Sequence, residues 1–200
     1  QHEEKSKEHV ATVVYRIRVD VPAFKLVRFY FGKDGTETLA AKKHGNEIVI
    51  GKGTHIHINK DISNHIGKIV QGFKRTNTIN INNQTFSLSY IPNILTGCYS
   101  MQASFKNQGK QLDWSPKPPH YSAQHTKFYF NLGGMYHHKA LVSRKNTVLQ
   151  NSNGQATFIV RKIADCIYEC ECHPALEPEI VFALGISQIV GPFEDSDIFY

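Results

Sequence analysis

The sequence predicts an all-β protein: a closed barrel of about a dozen short strands around one buried C-terminal helix. Three observations carry this. Residues 10–172 are a succession of short β-branched and aromatic runs divided by hairpin-type turns, the pattern of sandwiches and barrels. Residues 178–190, Pro-Glu-Ile-Val-Phe-Ala-Leu-Gly-Ile-Ser-Gln-Ile-Val, carry helix signals, with Pro178 in the first turn and Gly191-Pro192 as the stop. At about 100° per residue Glu179 and Gln188 fall on opposite sides, so no polar face forms and the helix must be buried all round.

The elements follow in order. Residues 1–9 are charged and without apolar periodicity, and read as a flexible charged arm before a single domain over 10–200. Residues 10–20 form a strand in which Tyr15, Ile17 and Val19 alternate against Arg16 and Arg18. A second strand over 24–31 leads to the Asp34-Gly35 turn, where positive φ is inexpensive. Strands over 38–43, 47–50, 54–58 and 68–74 follow, with residues 60–65 as a polar connection. Residues 78–81 and 85–90 flank the Asn82-Asn83 turn. After a loop over 92–97, residues 99–106 and 111–114 form a hairpin across Asn107-Gln108-Gly109. Residues 115–124 hold three prolines and form the longest irregular loop. Strands over 128–132, 139–143, 147–149, 156–162 and 165–172 complete the series.

Charge is unevenly placed. All 23 Lys and Arg lie at or before Lys162 together with nine acids, so residues 1–162 carry +14, whereas residues 163–200 carry eight acids and no base. A basic body attracts phosphates, acidic lipids or nucleic acid, and the acidic tail folding back on it would neutralise part of that charge. The apolar run of 13 residues is short of the ~20 that cross a bilayer as a helix. The chain begins at Gln1, which reads as processing or truncation, and Asn83-Gln84-Thr85 is a glycosylation sequon that matters only in a secreted protein. Together these tilt the expected location towards the cell surface or the outside.

The run Ala156-Thr157-Phe158-Ile159-Val160-Arg161-Lys162, then residues 168–172, then the helix over 178–190, resembles the close of the tubby C-terminal-like superfamily. That group includes phospholipid scramblases and the plant LURP-one-related proteins. Residues 54–74, with Gly67 and a basic end, and residues 111–114 are similar as well. The resemblance implies a closed twelve-stranded barrel around a C-terminal hydrophobic helix. It also implies lipid-linked roles, since scramblases are tied to lipid movement and tubby domains bind phosphoinositides through basic residues. Those basic residues do not map onto particular positions here. Asp195-Ser196-Asp197 does not amount to a calcium loop.

Several constellations compete with plainer explanations. Thr54-His55-Ile56-His57-Ile58 would put His55 and His57 on one strand face, with His65 further on, as two imidazoles for a metal. The alternative is that the isoleucines face the core and the imidazoles face water. His137 and His138, adjacent in sequence, would point to opposite faces. In a regular strand over 165–172, Cys166, Cys170 and Cys172 would share the inward face as small apolar side chains. A disulfide to Cys98, or zinc held by Cys170, Cys172 and His173, stay open. Gly185-Ile186-Ser187 lacks the second glycine of a nucleophile elbow, and no phosphate-binding or dinucleotide glycine pattern occurs. Asp113, His120 and His125 have no spacing that demands a site. Residues 25–30 and 127–130 interleave basic and aromatic residues, but strand alternation already explains the aromatics, so nucleic acid ranks below lipid or protein.

The expectation is a non-enzymatic binding module, without a cofactor, that engages anionic lipid or another acidic ligand. Its contacts are the basic pairs Lys42-Lys43, Lys74-Arg75 and Arg144-Lys145, placed at strand ends where a barrel presents its rim. The alternative is a secreted structural protein that assembles with copies of itself.

Overall fold

A computed structural model describes residues 12–22, 26–56, 64–93, 98–124, 127–129 and 140–192. The expected arm over 1–9, His57, His125, His137, His138 and the acidic segment beyond Pro192 lie outside the described residues.

The strands are β1 (Val13–Asp20), β2 (Arg28–Lys33), β3 (Thr36–His44), β4 (Glu47–Lys52), β5 (His65–Gly72), β6 (Thr76–Ile81), β7 (Gln84–Asn93), β8 (Cys98–Asn107), β9 (Lys110–Pro116), β10 (His120–Ser122), β11 (Lys127–Tyr129), β12 (Thr147–Gln150), β13 (Ala156–Ala164) and β14 (Ile167–Cys172), followed by the helix α1 (Pro178–Val190). Twelve of them close into an antiparallel barrel in the order β1-β14-β13-β12-β9-β8-β7-β6-β5-β4-β3-β2, while β10 and β11 pair apart from it. Closure leaves no open edge in the barrel. The path is a meander except where β9 pairs with β12, across Leu149↔Pro116 and Gln150↔Ser115.

The period of two decides what fills the barrel. Ile17 and Val19 of β1, Phe29 and Phe31 of β2, Ile48 and Ile50 of β4, and Ile79 and Ile81 of β6 all point inward and are buried. They meet α1, in which every residue from Ile180 to Val190 is buried. Phe182 stacks on Phe31 with ring centroids 4.9 Å apart. Gly185 lets helix and wall come close, since a Cβ there would lie 2.5 Å from Ile17 Cδ1 and 2.7 Å from Cys170 Sγ. On other sides the helix is hydrogen-bonded to the wall. Tyr90 Oη donates to Ser187 O at 2.6 Å, and Gln188 Nε2 donates to Tyr99 O at 3.3 Å. Partners on so many strands place the helix inside the barrel, as its uniform apolarity requires.

The two ends of the barrel differ. At the end where α1 begins, Glu177 accepts from Asn82 Nδ2 at 2.6 Å, and its backbone N–H donates to Asn107 Oδ1 at 3.1 Å. These wall residues do the work of a helix cap, for which Glu177 supplies no side-chain bond. At the end where α1 stops, Gly191 takes φ 73°, donates to Ser187 O at 2.9 Å, and accepts from Gln71 Nε2 at 3.2 Å. The left-handed turn there is one that glycine adopts without strain.

Four expectations need correction. Residues 54–56 are not strand, because β4 ends at Lys52 and Gly53 turns away with φ 81°. Residues 140–143 are not strand either: they form a loop in which Asn146 Nδ2 donates to Leu141 O at 2.8 Å. Residue 73 lies in the turn after β5, which stops at Gly72 rather than at Lys74. Cys166 stands in the turn between β13 and β14 at φ 58° and is exposed, so only Cys170 and Cys172 of that set face the core.

Glu169 and Glu171 are on the outer face of β14 but buried. Arg161 Nε donates to Glu169 Oε2 at 3.0 Å, and Arg161 Nη1 donates to Glu171 Oε2 at 2.7 Å. The pairing with two carboxylates is what makes burial of this arginine tolerable. Three of the tail's acids are thus answered locally, since Lys162 Nζ also lies 3.1 Å from Asp165 and Arg16 lies 3.5 Å from Glu169.

Candidate functional site

Strand directions bring the three basic pairs together. β3 ends with Lys42 and Lys43, the turn from β5 to β6 carries Lys74 and Arg75, and Arg144 and Lys145 lead into β12. All three places lie at the end of the barrel where α1 stops. Lys43 continues the inward row of Leu39 and Ala41 and donates to Gln71 Oε1, the residue that holds Gly191 O. Lys43 also donates to Gly45 O. Burial holds its ammonium below the usual lysine value. Lys145 Nζ comes 3.7 Å from where a Cβ on Gly191 would sit. Since α1 has no basic residue in its last turn, Lys43 and Lys145 supply the positive charge that a helix C-terminus favours.

The other four basic residues are arranged differently. Lys74 and Arg144 are exposed, and Lys42 and Arg75 are half-buried. Arg75 lies over the Tyr99 ring at 5.0 Å. Lys42 sits opposite Arg28 in the β2–β3 register, so two like charges are paired across strands. Arg28 is exposed and belongs to the same rim, and strand pairing alone reveals it. Acids are present as well: Asp20 is opposite Arg28, Glu47 lies 3.7 Å from Lys68, and Asp165 is paired with Lys162.

Phe73 precedes Lys74 at the tip between β5 and β6 and is 80% exposed, while Val142, just before Ser143-Arg144-Lys145, is fully exposed at 104%. Leu141, Val21 and Ile91 are exposed at the same end. The sequence reading missed these because residues 68–74 and 139–143 were assigned to strands, where an apolar residue needs no further explanation. An apolar residue one or two places before a basic pair was the available signal.

The remaining candidates stand apart from the rim. His55 is exposed after the end of β4, and among the described residues no three His, Cys, Asp or Glu side chains gather as a metal site. Cys166, Cys170 and Cys172 are free thiols, so none of them is bridged to Cys98. Burial and the neighbouring Glu171 push the Cys172 thiol up to about 12, and burial raises Cys170 well above its ordinary value. Both stay protonated, which makes them poor ligands and nucleophiles. Asn83 is exposed in the Asn82-Asn83 turn, at the opposite end from the basic rim. Beside it an open groove of about 590 Å³ runs over the outer faces of β5 and β6, lined by His65, Lys68, Asn80 and Gln84. Its one lysine is already opposed by Glu47, so the groove is less suited to an anion than the rim.

No helix among the described residues is long and apolar enough to cross a membrane. A scan against protein-family models finds no match for this chain, and a search of curated proteins finds no relative.

Proposed function

We propose that the protein is a non-enzymatic binding module whose basic rim engages anionic lipid or another acidic ligand. The observation that supports this is convergence. Lys42, Lys74, Arg75 and Arg144 come from distant parts of the chain and reach one end of the barrel, together with Arg28. The helix terminus accounts for Lys43 and Lys145, and Arg75 lies over the Tyr99 ring, which leaves Lys42, Lys74 and Arg144 without such a structural role. Each basic side chain near an anionic bilayer contributes about 1 kcal/mol, so four bring on the order of 4 kcal/mol. That corresponds to a dissociation constant of about 1 mM, measurable and sensitive to salt.

A closed barrel about a C-terminal hydrophobic helix is also what the tubby-like resemblance implies, and it supports reading the chain as a member of that superfamily. The alternative of self-assembly finds less support, since the closed barrel offers no strand edge for another copy. Liposome flotation tests the proposal. Phosphatidylcholine vesicles should leave the protein behind at low salt, and vesicles of equal parts phosphatidylcholine and phosphatidylserine should carry it up. The combined change Lys42→Ser, Lys74→Ser, Arg144→Ser should abolish the difference. Equal behaviour of the wild-type protein on both vesicles would sink the reading.

A further inference from the structure

Resting on that reading, we infer that the acidic ligand is a lipid bilayer and that the rim docks by inserting two apolar tips, Phe73 and Leu141-Val142, below the headgroups. Of the six large apolar side chains exposed among the described residues, five stand at this end: Val21, Phe73, Ile91, Leu141 and Val142. The two most exposed are each followed within three residues by two basic side chains, Phe73 by Lys74 and Arg75, Val142 by Arg144 and Lys145. A soluble anion would gain nothing from a phenylalanine and a valine held in water. A protein partner calls for a contiguous apolar patch, whereas these tips are on separate loops, each next to its own cations. A bilayer matches that pattern, since it is anionic at headgroup depth and apolar beneath. Basic stems can lie along the acyl boundary with their charges at the phosphates.

The backbone of the first tip points the same way. Three other tight turns of the barrel place Asp34-Gly35, Asn82-Asn83 and Gln108-Gly109 at positive φ with an Asn, Asp or Gly in each, and a fourth holds the single residue Cys166 there at φ 58°. The tip at 73–75 instead holds Lys74 at φ 64° and Arg75 at φ 57°, with neither glycine nor asparagine. Two long side chains kept in the left-handed region mark a place where local strain is retained for what the side chains do.

Vesicle binding should need both charge and tips, as stable attachment takes two signals. The paired change Phe73→Ser, Val142→Ser should weaken binding to the phosphatidylserine vesicles about tenfold or more, from lost apolar burial, while leaving retention on a heparin column unchanged. Phe73→Trp should bind as the wild type does, with its emission moving to the blue on acidic vesicles and quenched by brominated acyl chains. Undiminished vesicle binding by the serine pair, or a tryptophan that neither shifts nor is quenched, would overturn insertion and leave the basic rim standing. Heparin retention without binding to acidic vesicles would make the ligand a soluble polyanion and overturn it as well. Failure of the wild type to bind either would remove the basic-rim reading and the insertion with it.

Discussion

In the proposed binding role, Lys74 would serve attachment at the expense of stability. Its φ of 64° costs an ordinary side chain about 1 kcal/mol, and asparagine far less. Lys74→Asn should therefore raise stability by up to about 1 kcal/mol in denaturant titration while weakening attachment to acidic vesicles. A variant that gains on both counts would show that the strain there serves no binding purpose. Tyr90 is a case of the opposite kind, a polar group wholly in the service of the fold. Its hydroxyl donates to Ser187 O and accepts from Asn77 Nδ2 at 2.7 Å, and burial drives the phenol far above its ordinary value of 10.0. Tyr90→Phe should cost about 1–3 kcal/mol, since a buried amide and carbonyl lose their partner. The raised phenol also sets a pH dependence. Above about pH 10 the unfolded chain loses this proton while the folded one keeps it, so stability falls as pH rises. Tyr15 and Tyr168, raised by burial, act with the same sign, while the lowered Lys43 acts against them. Unfolding free energies measured from pH 8 to 11 should fall less steeply in Tyr90→Phe than in the wild type.

Among the elements, α1 is held by fit as much as by apolarity. Alanine is normally better than glycine within a helix by about 1 kcal/mol. At Gly185 the added methyl would meet Ile17 Cδ1 at 2.5 Å and Cys170 Sγ at 2.7 Å, and such overpacking costs about 1–3 kcal/mol. Gly185→Ala should thus lower the melting temperature, and an increase would show that the wall moves aside. The hydrogen bonds at both helix ends come from strands far away in sequence, Asn82 and Asn107 at the start and Gln71 at the stop. The helix is therefore capped only once the barrel around it has formed.

At the scale of the molecule, closure decides where interactions can occur. Twelve antiparallel strands leave no edge, the interior is filled by α1, and the outer faces of β13 and β14 are closed off around Arg161. Among the described residues, the two ends and the open groove are the places that stand out for a partner. The end where α1 starts carries the turns at Asp34-Gly35, Asn82-Asn83 and Gln108-Gly109. That end also carries Lys33, Lys52, Lys106 and Lys110, whereas the end where α1 stops carries the three basic pairs, Arg28 and five exposed apolar side chains. A surface held this way is electrostatic in part, so attachment should weaken as salt is raised from about 0.05 M towards 0.5 M, where the screening length falls from above to below about 10 Å.

The sequence by itself determined the all-β class, the closed barrel and the buried helix with its limits at Pro178 and Val190, because periodicity and stop signals are local properties of the chain. It also named the three basic pairs, since charge is legible without coordinates. Only the tertiary structure decided that these pairs share one end with Arg28, Phe73 and Val142, because that depends on which way each strand runs and which register pairs Arg28 with Lys42. Residues 54–56 and Cys166 were misread for a related reason. A strand's end is fixed by the backbone angle of one residue, here Gly53 at 81° and Cys166 at 58°, and hydrophobic alternation carries no record of it.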